Sequence, residues 1–236
     1  LGNRELWPGG NFAAYMLAQY AGVPRYREIL GLKPGTRLDD PAFVHALELL
    51  VDLQRRGCLS RGIAGVGTDE ARSLLTSGRA AMHPSGDWLV SEASPEDVAD
   101  LDAFRLPHMP GQHGDDTTLL ALTTGYMVNR RSPHAAEAVA LLRHLSSDAV
   151  QRDWARHGHL SAVRAAAPGA EAPVGQRRLL QFLAQARETA IAPDVGFNPE
   201  VADAFMDAAS LVLAGKAAPA DALGAAERQV AALRGR

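Results

Sequence analysis

Proline and glycine fall at set places around the apolar runs of this chain, and that punctuation restricts it to a succession of short, separately capped helices. The clearest runs from Asp40 to Gly57. Asp40 can accept from the free N–H groups of a first turn. Pro41 takes the first helical position, where its missing N–H costs nothing. Phe43, Leu47, Leu50 and Val51 recur on one face. Arg55 and Arg56 fall in the last turn, and Gly57 ends it. Asn198-Pro199 and Gly215 bracket a second such helix, with Val201, Phe205 and Val212 facing inward. Pro219 opens another that reaches Leu233, and about Gln176 to Arg187 reads as helix as well. Ser132-Pro133 opens one through Leu145. Ser147-Asp148 caps the next, which carries Val150 and Trp154 and stops at Gly158.

Between Thr68 and Trp88 the punctuation becomes a compact unit, TDEARSLLTSGRAAMHPSGDW. Thr68 is predicted to cap a helix, Asp69 and Glu70 sit where the helix dipole favours anions, and Gly78 stands at its end. Arg79 to His83, with Ala80, Ala81 and Met82, suits a short buried strand. Pro84-Ser85-Gly86 then turns the chain and delivers Asp87 and Trp88. A bulky aromatic beside a carboxylate at a strand end can hold a polar ligand with apolar faces. On pattern alone the favoured reading of Trp88 is a core or rim aromatic.

Elsewhere Trp7-Pro8-Gly9-Gly10 reads as a loop before a helix from about Asn11 to Tyr20, stopped by Gly22. Residues 24–39 read as loop with one helical turn, and Glu92 to Asp100 as an acidic surface helix. Phe104 to Pro107 and Leu119 to Asn129 read as strands, the latter turning through Gly125 so that Tyr126 stands near a strand end. Alternating helices and few short strands, closing in a purely helical third, define an α/β chain ending in packed helices. Abundant alanine and an aromatic share of only 6% favour packing through small residues.

The 236 residues carry a net charge of −3, so the balance gives no reason to expect nucleic acid. No run of 18 apolar residues exists to cross a bilayer. Cys58 is the sole cysteine and reads as a buried, inert thiol. Gly62, Gly65 and Gly67 lack both dinucleotide-binding spacing and a following Lys-Ser/Thr. No motif of a serine hydrolase, zinc protease, Cys-x-x-Cys redox protein or kinase occurs. In the loop HMPGQHGDD, His108, His113, Asp115 and Asp116 match no strong metal-ligand spacing, and no metal or other cofactor is expected. The site-like positions are the aromatics beside turns, Trp7, Trp88 and Tyr126.

The order of these elements carries a resemblance. The helix DDPAFVHALELLVDLQRRG precedes the unit ending SGRAAMHPSGDW, then FRLPHMPG, then TTGYMVNRRSPHAAEAVALLRHLSSDAVQRDWARHGHLSAV, then closing helices that include VLAGKAAPADALGAAERQV. This succession resembles the extracellular solute-binding proteins of bacterial ABC importers, especially the sugar-binding group that includes maltose-binding protein. Gly78-Arg79-Ala80-Ala81-Met82 followed by Gly86-Asp87-Trp88 matches the family pattern in which a Gly-x-Trp tryptophan stacks on sugar. A Gly-Gly pair of the family stands here as Thr124-Gly125, and its Gly-x-x-Pro as Gly158-His159-Leu160-Ser161.

The resemblance implies a periplasmic-binding-protein-like fold of two α/β lobes, represented mostly by the second. Residues 1–118 and 168–236 would form that lobe, and 119–167 would cross over to a first lobe whose remainder lies outside this chain. It further implies an extracytoplasmic, monomeric binding component with no enzymatic activity. Its partners would be a small solute, most simply a sugar, and the permease subunits of a transporter. Membrane association would come only through an anchor upstream of Leu1. Trp7, Gly86, Asp87, Trp88, Gly125 and Tyr126 would contact the ligand. The same scaffold holding a polyamine or a phosphorylated compound, and an α/β enzyme of another kind, are the alternatives.

Overall fold

The computed structural model describes residues 1–121, 125–163 and 169–234. In chain order its α-helices are α1 (Trp7–Ala21), α2 (Val23–Leu30), α3 (Pro41–Arg55), α4 (Thr68–Thr76), α5 (Trp88–Glu92), α6 (Pro95–Ala99), α7 (Ala135–Leu145), α8 (Asp148–Arg156), α9 (Val174–Gln185), α10 (Pro193–Gly196), α11 (Pro199–Leu213) and α12 (Pro219–Val230). Two short strands, β1 (Leu119–Leu120) and β2 (Thr189–Ala190), pair in parallel, Leu119 opposite Thr189. The chain divides into two compact units. The first takes residues 1–84, 105–122 and 185–236, and the second 85–104 and 123–184.

The first unit is built on α1. Ala13, Ala14, Leu17 and Ala18 make one side of that helix fully buried. Phe43, Leu47 and Leu50 of α3, Val201, Phe205 and Ala209 of α11, and Leu223 and Val230 of α12 complete the same core. Burying a side chain the size of Leu or Phe stabilises by roughly 1.5–3 kcal/mol. The capped helices form where proline and glycine place them. Asp40 Oδ1 accepts from the Ala42 N–H at 2.9 Å, Asn198 Oδ1 accepts from the Glu200 N–H at 2.9 Å, and Gly57 ends α3 with φ 76°.

Several local expectations are corrected. Trp7-Pro8-Gly9-Gly10 is the first turn of α1, and Gly9 and Gly10 are buried. A side chain on Gly9 would run into the Asn3 carboxamide and Leu213, and one on Gly10 into Met206, so these glycines permit close helix packing. Residues 24–39 contain most of α2. Thr68 does not cap α4; its N–H and hydroxyl both donate to Glu5 Oε2 at 3.1 Å, so a carboxylate from before α1 meets that helix end. Arg79–His83 is irregular, with Met82 60% exposed, and Phe104–Pro107 is also irregular. Of the strand expected over Leu119–Asn129, Leu119–Leu120 is the part that forms among the described residues; residues 122–124, including Thr124, lie outside them. An extended segment is stable only with a partner to take its N–H and C=O groups. Only β1 and β2 have such a partner among the described residues. Cys58, expected to be buried, is exposed, and it follows Gly57 with its left-handed backbone at the end of α3.

The second unit holds α5 to α8 and nearly all of α9. Among the described residues its buried apolar side chains are Val98, Ala155 and Ala172. Polar ties carry much of its order. Gln176, 1% exposed, donates from Nε2 to the carbonyls of Ala155 (2.8 Å) and His159 (3.2 Å), joining α9 to the end of α8. Arg178 pairs with Asp102 at 2.9 Å. Gly158 (φ 89°) lies so near the Val90 carbonyl that a Cβ would stand 2.9 Å from its oxygen. Ser132 accepts from the His134 N–H and so caps a turn one residue ahead of α7. α7 itself buries no residue, and its Val139 and Leu141 are exposed.

Candidate functional site

The Gly86-Asp87-Trp88 turn keeps its local geometry without the expected strand before it. The N–H groups of Leu89 and Val90 donate to the carbonyls of Gly86 and Asp87 at 3.1 Å, which starts α5 at Trp88. The indole lies back over Gly86, where any Cβ would collide with the ring. Glycine is therefore required at that position by close approach of the aromatic. Trp88 is half-buried, and the Asp87 carboxylate, also half-buried, has no hydrogen-bond donor among the described residues. The turn thus offers an apolar ring and an available anionic acceptor side by side.

Gly125 and Tyr126 lie in the same unit but in an irregular, exposed stretch. Tyr126 is 65% exposed, and the space around a Cβ on Gly125 is open. Trp7 belongs to the first unit. It follows Leu6, whose φ of 64° is unusual for a branched residue and turns the chain abruptly into α1. Trp7 is half-buried and packs against the core.

Below Trp7, α1 presents residues that sequence reasoning treated only as helix positions. Asn11, Tyr15 and Gln19 follow at successive steps of four, so they share one face of the helix with Trp7. Gln19 is fully buried, and its Nε2 donates to the carbonyls of Leu106 (3.3 Å) and Pro107 (3.1 Å) and to Gln112 Oε1 (3.2 Å). These bonds lay the 105–107 segment along α1 beside Tyr15. The Tyr15 phenol is pushed above the usual tyrosine range by burial, opposed by a hydrogen bond with the Leu106 backbone and by the Arg105 charge. Asn11 Oδ1 and Gln19 Oε1 are buried and have no hydrogen-bond partner among the described residues. The signal that could have found this face is the step of four from an aromatic through two polar residues.

The electrostatics elsewhere are structural. His83 is pushed down to about 4, first by burial, then by the positive charges of the Leu1 amino group and Arg72. The Asp115 carboxyl is held low by hydrogen bonds from the Thr117 hydroxyl and N–H and by Arg187. Among the described residues no three His, Cys, Asp or Glu side chains are grouped so as to hold a metal ion. No helix among them is long and apolar enough to cross a membrane.

The fold is shared with solved structures of the periplasmic-binding-protein-like kind. The bacterial solute receptor AcbH, described as having an exclusive preference for β-D-galactopyranose, superposes with a TM-score of 0.87 at 16% identity, over 99% of this chain and 60% of its own. A protein studied for xylan utilization by Caldanaerobius polysaccharolyticus gives 0.81 at 21% identity, over 98% and 60%. The maltose-maltodextrin binding protein of Alicyclobacillus acidocaldarius gives 0.69 at 18%, over 94% and 60%. This chain therefore spans about 60% of the length of these structures. A family model described as bacterial extracellular solute-binding protein matches residues 6–177, and the chain belongs to that family. No curated protein sequence matches it significantly.

Proposed function

We propose that this chain is the larger part of an extracytoplasmic binding component of an ABC importer, and that its solute is a carbohydrate. The observation that carries the reading is the Gly86-Asp87-Trp88 turn within a family of solute-binding proteins. Sugars present apolar C–H faces and polar edges. The indole of Trp88 would stack on a face, the Asp87 carboxylate would accept from hydroxyls, and Tyr126 would offer further aromatic surface. No bond is made or broken; the loaded protein, a monomer, delivers the sugar to the permease subunits. Membrane attachment would come through an anchor outside these residues. We also propose that residues 1–118 and 168–236 belong mainly to the second lobe of a two-lobe fold, with 119–167 crossing to the first. The exposed apolar side chains of α7 support this, since an amphipathic helix needs a covering layer and the related structures are longer.

Calorimetric titration of the protein with a panel of mono- and oligosaccharides tests the reading. One of them binds with micromolar or better affinity, and Trp88→Ala abolishes that binding while leaving the far-UV circular dichroism unchanged. Undiminished affinity in Trp88→Ala refutes the stacking role. Binding of a polyamine or a phosphorylated compound in place of any sugar refutes the carbohydrate assignment.

A further inference from the structure

We infer that Gln176 and Gly158 are positioning residues for the solute-binding turn: together they fix α5, and with it the Trp88 indole, in the place where it meets the ligand. The inference rests on the carbohydrate reading of Trp88 and carries it to two residues distant from that turn in sequence. α5 cannot fix itself. It spans only Trp88–Glu92, and none of its residues is fully buried. So short a helix is unstable alone in water, and its place must come from what it packs against. Gly158 supplies such a contact. It follows α8 with φ 89°, and a Cβ there would stand 2.9 Å from the Val90 carbonyl oxygen and 3.1 Å from the Ser91 nitrogen. Backbone therefore lies directly on backbone at the peptide just past Trp88, an approach that only glycine permits.

Gln176 fixes the glycine in turn. It lies on α9, is 1% exposed, and donates from Nε2 to the carbonyls of Ala155 (2.8 Å) and His159 (3.2 Å), which flank Gly158 in sequence. The same helix grips the far end of the arm that carries Trp88. A Cβ on Gly175 would stand 3.2 Å from the Leu101 carbonyl oxygen, and Arg178 pairs with Asp102 at 2.9 Å. The arm 85–104 is thus held by α9 at residues 101–102 and by Gly158 at Val90–Ser91, and both supports lead back to α9. Few apolar side chains share this task, since Val98, Ala155 and Ala172 are the buried ones of the unit among the described residues. Gln176 Oε1 is buried and has no partner among the described residues. An unpaired buried acceptor lowers stability, so this amide is better explained by where its N–H groups place the chain than by net stabilisation.

The test labels the full chain with fluorotryptophan, and the fluorine resonances of Trp7, Trp88 and Trp154 are assigned by single Trp→Phe variants. Gln176→Leu and Gly158→Ala each shift or broaden the Trp88 resonance and leave that of Trp7, in the other unit, unmoved. Arg178→Ala, which loosens the same arm at Asp102, leaves both in place. The variants are also titrated by calorimetry with D-galactose, xylobiose and maltose. Gln176→Leu and Gly158→Ala each weaken the sugar that the unsubstituted protein binds about 10-fold, the ordering cost of one side chain no longer held in advance. Gln176→Leu keeps the fold, because the Ala155 carbonyl still accepts from the Gly158 N–H at 3.2 Å. Should either variant lose helical circular dichroism, Gln176→Asn, one methylene shorter, is read in its place. A Trp88 resonance that none of these variants moves overturns the inference. Equal movement in Arg178→Ala also overturns it, because general loosening of the unit then explains the effect. Unchanged affinity in a variant whose Trp88 resonance has moved overturns it as well. If the unsubstituted protein binds none of the three sugars, the carbohydrate reading fails separately, and the Trp88 resonance still decides whether these two residues set the ring.

Discussion

Glu227 lies on the inner side of α12, only 4% exposed. Its Oε2 accepts from the Leu38 N–H at 2.7 Å, and Arg234 forks onto both oxygens at 3.1 and 2.9 Å. One carboxylate thus ties the loop before α3 to α12 and to the chain after it. Glu227→Ala leaves the buried Leu38 N–H unpaired, which costs about 1–3 kcal/mol. It also strips both charge-assisted bonds from Arg234, whose side chain is 21% exposed and recovers some hydration. Together these give a loss of about 3–4 kcal/mol, within the range for breaking a buried ion pair from one side. Glu227→Gln keeps a carbonyl oxygen for Leu38 and loses only the charge, so its cost is about 1–2 kcal/mol. Urea unfolding followed by far-UV circular dichroism measures both, with the slope checked for constancy. A glutamine variant as unstable as the alanine one would refute the role given to the Leu38 bond. An alanine variant within 1 kcal/mol of the unsubstituted protein would refute the argument altogether.

Two further outcomes concern the first unit. His83 binds its proton less readily in the folded protein, at about 4 against 6.5 for a free histidine. The unfolded chain therefore takes up more protons as pH falls, so this contribution is complete above pH 6.5 and is lost progressively down to about 4. Discounted for partial exposure, the loss is about 1–2 kcal/mol. His83→Gln, unfolded in urea at pH 7 and pH 4.5, should lose correspondingly less stability between them than the unsubstituted protein. Gly9→Ala forces a methyl group into Asn3 and Leu213 and should destabilise by about 1–3 kcal/mol, read as a lower thermal midpoint. A neutral result would mean that α1 and α11 have room to separate.

The helices were legible because their signals are local. Asp40, Pro41 and Gly57 act on their own backbone, and Phe43, Leu47 and Leu50 find the core by periodicity alone. The strands were not legible in the same way. Arg79–His83 has a composition that suits a strand, but strand formation depends on a distant segment to pair with, and that is a property of the whole fold. Thr68 looked like a cap and was displaced by Glu5, 63 residues earlier in the chain, whose carboxylate satisfies the same helix end. Gly9 and Gly10 read as loop residues because glycine disfavours helix; their value lies in contacts with Asn3, Leu213 and Met206 that no local pattern contains.

The candidate site divides along the same line. By itself the sequence determined that Gly86, Asp87 and Trp88 stand together, since three consecutive residues remain neighbours in any fold, and the order of capped helices pointed to the family. Only the tertiary structure decided that the Trp88 ring lies over Gly86, that Tyr126 is exposed, and that the 105–107 segment runs beside Tyr15 on α1. The physical reason, for the 105–107 segment, is that its place depends on residues some ninety apart in the chain, Gln19 with Leu106 and Pro107. Contacts of that range are set by packing, and local propensity does not encode them.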